Sequence, residues 1–462
     1  MMDFHIDALP RQKGVFIVGG FLRDRLLGRT PTDVDVVVQD NPELFARQLA
    51  TKLNSRVLSM GKPAHPMFRV VTKHHIFDIS PLQGSTIEED LRRRDFTVNA
   101  LAYEMFSART IDVTQGLQDI RDGQIRQIST SIFRADPLRL LRAFRIAAQL
   151  SFQIEIHTRK TIQKDAPLIT EAAAERIRWE LFGILEASGT HVWLQKMADS
   201  GILFNILPEM AAMKGCFQNR HHAFDVLDHT IQTVRHMEIL TAQNQSPDTD
   251  PSPVTEAIHR RRQTRLKLAA LLHDIGKPLT RQATRDDHIK FKGHASAGAR
   301  MVADIGSRLR LSRAEMEHAV KMVQYHLRPL LLFKAKNKGT LTQRGITRFF
   351  MKTHEDTMDI LLLSLADMRG KQAPEYKWES RFEQFVTELT QQYDTQFRSA
   401  LEVPSLISGH DLIRLLHLTP SPLFKQVLAR TRECQIAGHI TTRKEALKFA
   451  TDAINSIRAL EA

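Results

Sequence analysis

Cysteine is nearly absent from this chain: 462 residues contain two, Cys216 and Cys434, far apart and without CxxC spacing. A disulfide framework and a cysteine-ligated zinc site are thereby excluded. Aromatic residues are scarce, at 7%. Missing too is any apolar run long enough to span a membrane. The N-terminal MMDFHIDALPRQKG has no signal-peptide h-region, so the expectation is a cytoplasmic protein with no membrane partner. Acidic residues are in deficit: 65 Lys and Arg face 52 Asp and Glu, a formal charge of +13. That excess favours a polyanionic partner, because phosphate contacts release counterions. The length exceeds one ordinary core and predicts two to four domains.

The stretch Val18–Val38, VGGFLRDRLLGRTPTDVDVVV, is the most informative. In a strand, Asp33 and Asp35 share one face while Val34 and Val36 take the other. Two carboxylates side by side repel unless a cation lies between them, and hard divalent ions with oxygen ligands are the usual occupants. Gly19-Gly20 opens a helix whose free N–H groups can receive phosphate oxygens, and Arg23 one turn on can clamp the same anion. The apolar VVV that follows marks a buried strand with the carboxylates at its mouth.

To about residue 128 short strands mix with helices: VFIVGG, DVDVVV, HHIFDIS and RTIDVT read as β segments. NPELFARQLATKLN reads as a helix with Asn41 as N-cap and Pro42 in the first turn. Beyond residue 130 strand signals nearly vanish and helical periodicity takes over. A Pro/Ser/Asp-rich linker, AQNQSPDTDPSPVTEA, covers about 242–257. Asp78 in HHIFDIS is a third carboxylate on a later strand. In EEDLRRRDFTVNA, Asp95 and Asn99 stand at i and i+4 of an expected helix, a face suited to a ribose hydroxyl and phosphates.

GGFLRD, DVDVV, RRRDFTVNALA and RADPLRLLRAFRIAAQL, in this order, resemble the class II tRNA nucleotidyltransferase family, which includes CCA-adding enzymes and bacterial poly(A) polymerases. The resemblance implies an α+β fold: an N-terminal nucleotidyltransferase head with a small mixed sheet, then an all-α neck, an HD-type helical body and a helical tail. The corresponding divisions are 1–128, 129–222, 223–372 and 373–462. It implies that Asp33 and Asp35 hold Mg²⁺, with Asp78 as third catalytic carboxylate, while a tRNA 3′ hydroxyl attacks the α-phosphate of CTP or ATP. Gly19, Gly20, Arg23, Arg94, Asp95 and Asn99 would bind the nucleotide. The family's Glu-Asp-x-x-Arg stands here as Ala135-Asp136-Pro137-Leu138-Arg139, with Ala replacing Glu. Asp136 and Arg139 would read the base, since a carboxylate accepts from the exocyclic amine of C or A and a guanidinium donates to ring acceptors. Arg142 and Arg145 follow toward the nucleotide on the same helix. Only SPLQGSTIEED separates Asp78 from Leu91, a shorter segment than full CCA-adding members carry, so addition of CC alone stands as an alternative. Poly(A) synthesis is another.

LAALLHDIGKP places His273-Asp274 on an expected apolar helix, where such a pair is costly unless partnered or metal-bound. With His229 and Asp367 it resembles the HD phosphohydrolase superfamily, which implies a divalent transition metal on His229, His273, Asp274 and Asp367. His294 and His326 would be additional ligands or phosphate contacts. Imidazole and carboxylate donors leave the metal identity open. A further alternative is therefore an HD phosphohydrolase whose head only binds RNA. The basic tail departs from the family pattern at His417 and Ser421, where Gly is usual, and its role, tRNA contact or dimerisation, is open.

Overall fold

The computed structural model describes residues 6, 8–62, 65–218, 224–243, 253–283, 289–371, 376–416 and 419–461. His417 and most of the expected linker lie outside them. The chain divides into two compact units, Met1–Pro208 and Glu209–Ala462. The architecture is α+β, with the larger sheet confined to the first unit.

The first unit opens β1 (Val15–Val18), α1 (Gly20–Leu26), β2 (Asp33–Val38), α2 (Pro42–Lys52), β3 (Val57–Lys62), β4 (His65–Val71), β5 (Ile76–Pro81), α3 (Ile87–Arg92), β6 (Leu101–Glu104) and β7 (Arg109–Asp112). These strands form one sheet in the order β3-β4-β5-β2-β1-β6-β7. It is mixed: β2 and β5 run parallel and the other pairs antiparallel. The alternation in DVDVVV works as read. Val34 and Val36 are fully buried on one face beside Phe77 and Ile79, while Asp33 and Asp35 share the other face with Val37. That second face is closed at its far end by Ile87 and Leu91 of α3, packed with Phe16, Val18 and Val37. Asn41 caps α2 through its side-chain oxygen, which accepts from Leu44 N at 3.0 Å.

One local reading needs correction. The segment around Asp95 is not helical: α3 ends at Arg92, Asp95 lies in a bend and Asn99 closes a 3₁₀ turn, Thr97–Asn99. The backbone is claimed elsewhere, since Thr97 N donates to Arg126 O at 3.0 Å and Phe96 bridges Gln127. The β3–β4 hairpin, which the sequence reading passed over, carries Arg69 directly opposite Asp78.

The rest of this unit is helical: α4 (Gly116–Arg121), α5 (Ile132–Ala135), α6 (Leu138–Leu150), α7 (Ile156–Asp165), α8 (Ala174–Glu186), α9 (Thr190–Asp199) and α10 (Ile202–Ile206). One two-residue ladder joins 124–125 to 153–154. α6 buries Leu140, Leu141, Ala143, Phe144 and Ala147 and packs on α8. That burial turns its arginines toward the rim.

In the second unit, α11 (Val226–Gln243), α12 (Pro253–Leu272), α13 (His294–Arg308), α14 (Arg313–Tyr325), α15 (Arg328–Asn337), α16 (Gln343–Thr353) and α17 (Thr357–Gly370) come first. α18 (Tyr376–Gln392), α19 (Arg398–Glu402), α20 (Gly409–Leu416), α21 (Pro422–Ile436) and α22 (Arg443–Glu461) follow. α11 packs on α12 and α17, and α14 on α12 and α13. The tail has its own small core of Leu412, Val427, Ile440, Ala446 and Ala450. A second reading is corrected here: α12 stops at Leu272, so His273 and Asp274 occupy the turn after the helix. Gly276 makes that turn close-packed, because a Cβ there would lie 2.3 Å from His294 O and 2.5 Å from Gly298 N.

Candidate functional sites

A row of side chains crosses the sheet of the first unit. Asp35 of β2 is the register partner of Asp78 on β5, and Asp78 is the partner of Arg69 on β4. Directly opposed residues share a face, so all three point the same way. Arg69 grips Asp78 with two bonds, Nε and Nη2 each donating at 2.7 Å. Asp78 is thus committed to a guanidinium, and Asp33, Asp35 and Asp78 do not form a trio with ligand atoms within 4.8 Å of one another. Burial pushes the Asp35 carboxyl above its usual range; Arg94 and Arg142 oppose, and Asp78 and Asp33 add to it.

Asp35 opens into a cleft of about 270 Å³ that Gly19, Gly20, Arg23 and Arg94 also line. Asp95 and Asn99 lie across it, with Arg139, Arg142 and Arg145 of α6 closing the far side. Asp33, Asp78 and Asp136 do not line it. Gly19 adopts a φ of 75°, and a Cβ on it would sit 3.0 Å from Asp35 Oδ2 and 3.3 Å from Arg94 Nη1. Glycine thus keeps the space between carboxylate and guanidinium open.

Each arginine is held by a partner. Arg23 Nη1 donates to Asn99 Oδ1 at 2.6 Å, and Asn99 Nδ2 donates to Asp95 Oδ1 at 3.0 Å. Arg94 is tied to Asp90, and Arg142 Nε lies 3.1 Å from Asp95 Oδ2. Asp95 is buried, which alone would raise its pKa, but Arg142, the Asn99 amide and the Phe96 N–H hold it below the usual value. Arg139 Nη2 donates to Arg93 O at 3.2 Å. Asp136 Oδ1 accepts from Leu138 N at 3.2 Å, and its Oδ2 takes Arg176 of α8 at 3.1 Å.

Four contributors went unread in the sequence. Arg69 sits in a strand without clear alternation. Asp90, Arg176 and Glu180 look like ordinary solvated helix residues, yet Glu180 is 2% exposed and takes Arg145 at 2.6 Å. A Glu three residues into an apolar stripe, AERIRWELFGIL, is the signal that could have marked it.

The second unit gathers its cluster around Asp274. His229, His273, Asp274 and Asp367 offer ligand atoms all within 4.8 Å of one another, and so do Asp274, His294 and His326. Three rings are oriented alike: Nδ1 of His273, His294 and His326 lies 2.7–2.8 Å from the carbonyl three residues earlier. That contact assigns the proton to Nδ1 and leaves the Nε2 lone pair facing inward. All three Nε2 atoms are buried without a hydrogen bond. His273 Nε2 lies 3.0 Å from Asp274 Oδ2, and His294 Nε2 3.3 Å from Oδ1. Lone pairs facing a carboxylate at such distances repel unless a proton or cation intervenes. Burial and the neighbouring His273 push His326 down to about 3, which keeps that ring neutral. Burial would raise Asp274, but His273 and Lys277 hold it well below its usual value. For Asp367, Lys371 is the largest influence opposing burial. Lys277 Nζ stands 2.5 Å from Asp274 and Lys371 Nζ 3.2 Å from Asp367. Asp274, His294 and Asp367 face a cavity of about 860 Å³ lined also by Phe291, Lys334 and Trp378.

Comparison with known proteins gives three family matches. Residues 15–126 match the poly A polymerase head domain, 151–214 the probable RNA and SrmB-binding site of polymerase A, and 226–367 the HD domain. The A-adding tRNA nucleotidyltransferase of Deinococcus radiodurans is 30% identical over 446 residues, 95% of each chain. The CC-adding tRNA nucleotidyltransferase of Thermus thermophilus is 29% identical over 95% of this chain and 93% of its own. A solved CCA-adding enzyme in an apo form shares the fold, with a TM-score of 0.62 at 19% identity over 94% of this chain and 89% of that one.

Proposed function

The chain belongs to the tRNA nucleotidyltransferase family, and from that premise we propose that it extends the 3′ end of tRNA without a nucleic-acid template, adding C and A from CTP and ATP to build or repair the CCA end. The observation that carries this reading is the cleft in which Asp35, Gly19-Gly20 and the arginines of α6 meet. Its place of work would be the cytosol.

The Asp33–Asp35 pair fits Mg²⁺: its donors are all oxygen, burial raises Asp35 with Asp78 and Asp33 adding to it, and Gly19 leaves room beside it. Asp33 and Asp35 would hold the ion, which would supply charge neutralisation for the attacking 3′ oxygen and the departing pyrophosphate. The chain's own groups do the rest. Gly19 and Gly20 let the triphosphate approach the backbone, and Arg23 and Arg94 offer guanidinium donors to it. Asn99, fixed by Asp95, orients Arg23 and faces the ribose. Arg139, which lines the cleft, donates to the base ring, and Asp136, outside the cleft and holding Arg176, would turn in to accept from the exocyclic amine. Asp78, held by Arg69, shapes the charge beside Asp35 in place of ligating directly.

A second reading, CC addition alone, has its own support. Only residues 82–86 join β5 to α3, and they are pinned, Gln83 N to Asp90 at 3.0 Å and Ser85 N to Glu89 at 2.8 Å. The test is incorporation of labelled CTP or ATP, supplied separately, into tRNA lacking its CCA end. Failure with both sinks the polymerase reading; C without A establishes the second; long A tails on unrelated RNA establish poly(A) synthesis.

The Asp274 cluster fits a divalent transition metal, because three buried Nε2 lone pairs and two carboxylates converge there. The two ligand sets share Asp274, one oxygen toward each. The reading is metal-dependent phosphoester hydrolysis, with Lys277 and Lys371 at the mouth to receive phosphate. Hydrolysis of 2′,3′-cyclic nucleotides with added metal, lost in Asp274→Ala, tests it. No hydrolysis with any metal refutes it.

A further inference from the structure

α8 carries a side chain that packing does not account for. Trp179 leaves 63% of its surface exposed, although burial would stabilise so large an apolar body. One face of the ring is taken, with the Arg145 guanidinium carbon 4.7 Å from its centroid. Arg145 is fixed in turn: Nε donates to Glu180 at 2.6 Å and Nη1 to Gln149 at 2.8 Å. Its stem fills the space left by Gly183, where a Cβ would meet Arg145 Cδ at 2.5 Å. The same Arg145 lines the cleft that holds Asp35. From the cleft outward the order is guanidinium, indole, solvent. Arg176, one turn earlier on the helix and so on the same face, is paired with Asp136 at 3.1 Å.

We propose that the open face of Trp179 is a stacking platform for a base of the unpaired 3′ end of the RNA as its terminal hydroxyl enters the cleft. The inference rests on the RNA-extending reading above. Two features select this occupant: continuity with the cleft through Arg145, and the α6 arginines that line the cleft, Arg139 and Arg142, whose guanidinium groups match a phosphate backbone. Aromatic faces stack any base, which suits a primer whose last base changes at each addition.

The test compares full-length Trp179→Ala and Trp179→Phe with the wild-type chain. The probes are tRNA lacking CCA and a short RNA bearing 2-aminopurine at its 3′ terminus. Trp179→Ala is expected to raise KM for the RNA about tenfold, the usual effect of losing one stacked base. KM for CTP and kcat at saturating RNA should not change. Quenching of 2-aminopurine should occur with wild type and Trp179→Phe and be lost with Trp179→Ala. An unchanged RNA KM, or quenching retained by the Ala variant, overturns the proposal. An equal rise in KM for CTP also overturns it, because Trp179 would then act by holding Arg145. The quenching assay needs no incorporation. A chain that quenches through Trp179 yet adds no nucleotide would therefore support the platform while refuting the transferase reading.

Discussion

Asp35→Asn should make the metal-free protein more stable while destroying its activity. Asp35 and Asp78 are register partners on adjacent parallel strands, which lie about 4.8 Å apart. Two unit charges at that spacing repel by about 0.9 kcal/mol in water and about 3.5 kcal/mol at an effective dielectric of 20. Two facts favour the lower figure. The Asp35 carboxylate reaches solvent, which screens it, and Arg69 already offsets Asp78. Arg94 and Arg142 pull the other way, but the raised Asp35 pKa says that burial, with Asp78 and Asp33 adding to it, outweighs them. The gain is therefore about 0.5–1 kcal/mol, or about 2 °C for a unit of this size. A raised carboxyl pKa costs stability once the group ionises. The advantage of the Asn variant should thus be full at neutral pH, shrink as pH falls through the Asp35 pKa, and be gone below about pH 4. Thermal denaturation in EDTA across pH reads this directly, beside nucleotide incorporation with Mg²⁺. A variant that melts below wild type at neutral pH would show that attraction to the arginines dominates, and retained turnover would remove Asp35 from the chemistry.

Gly276→Ala should lower the melting temperature through an overpacking cost of about 1–3 kcal/mol and cut bound metal, measured by elemental analysis, without touching nucleotide incorporation; wild-type metal content would refute the account of that turn. Asp136→Ala should relax base choice, with misincorporation of U or G rising about tenfold in single-nucleotide assays, and unchanged fidelity would free Asp136 of that role. Asp95→Asn should cost about 2 kcal/mol at neutral pH. Because the Asp95 pKa is depressed, wild type loses this contribution as pH falls through that pKa, below about pH 4. The two melting curves should therefore converge in acid, and a gap that persists there would exclude the Arg142 pairing as its source.

The catalytic half of the head was legible because its signals are local. Alternation in DVDVVV, a Gly-Gly turn and Asn41-Pro42 each specify geometry within a few residues. What stayed hidden depends on partners far along the chain. Arg69 lies in a hairpin where Leu58 and Met60 are exposed and Gly61 and Pro66 interrupt the pattern, so no strand period marks it. Asp95 and Asn99 do meet, but through a bend and a 3₁₀ turn imposed by backbone pairing with residues 126–127, which helical spacing could not foresee. His273-Asp274 was placed one step too early, inside the helix. The close approach of Gly276 to α13, which is invisible without coordinates, sets the turn. The histidine set was readable as residue types, but the shared inward aim of the Nε2 atoms was not, since it follows from carbonyls three residues earlier, in the last turns of α12 and α14 and in the loop before α13.

The row Asp35–Asp78–Arg69 has an implication for how such a head can change over time or by engineering. Three strands hold it, and side chains alternate faces at every residue, so inserting one residue into β5 would flip Asp78 to the Val34 face and strand Arg69 opposite an apolar neighbour. The connector at 82–86 is instead tied to α3, through Gln83 N on Asp90 and Ser85 N on Glu89, so a change of length there bears on α3 first. That row is thus locked by strand register, whereas the connector answers to α3.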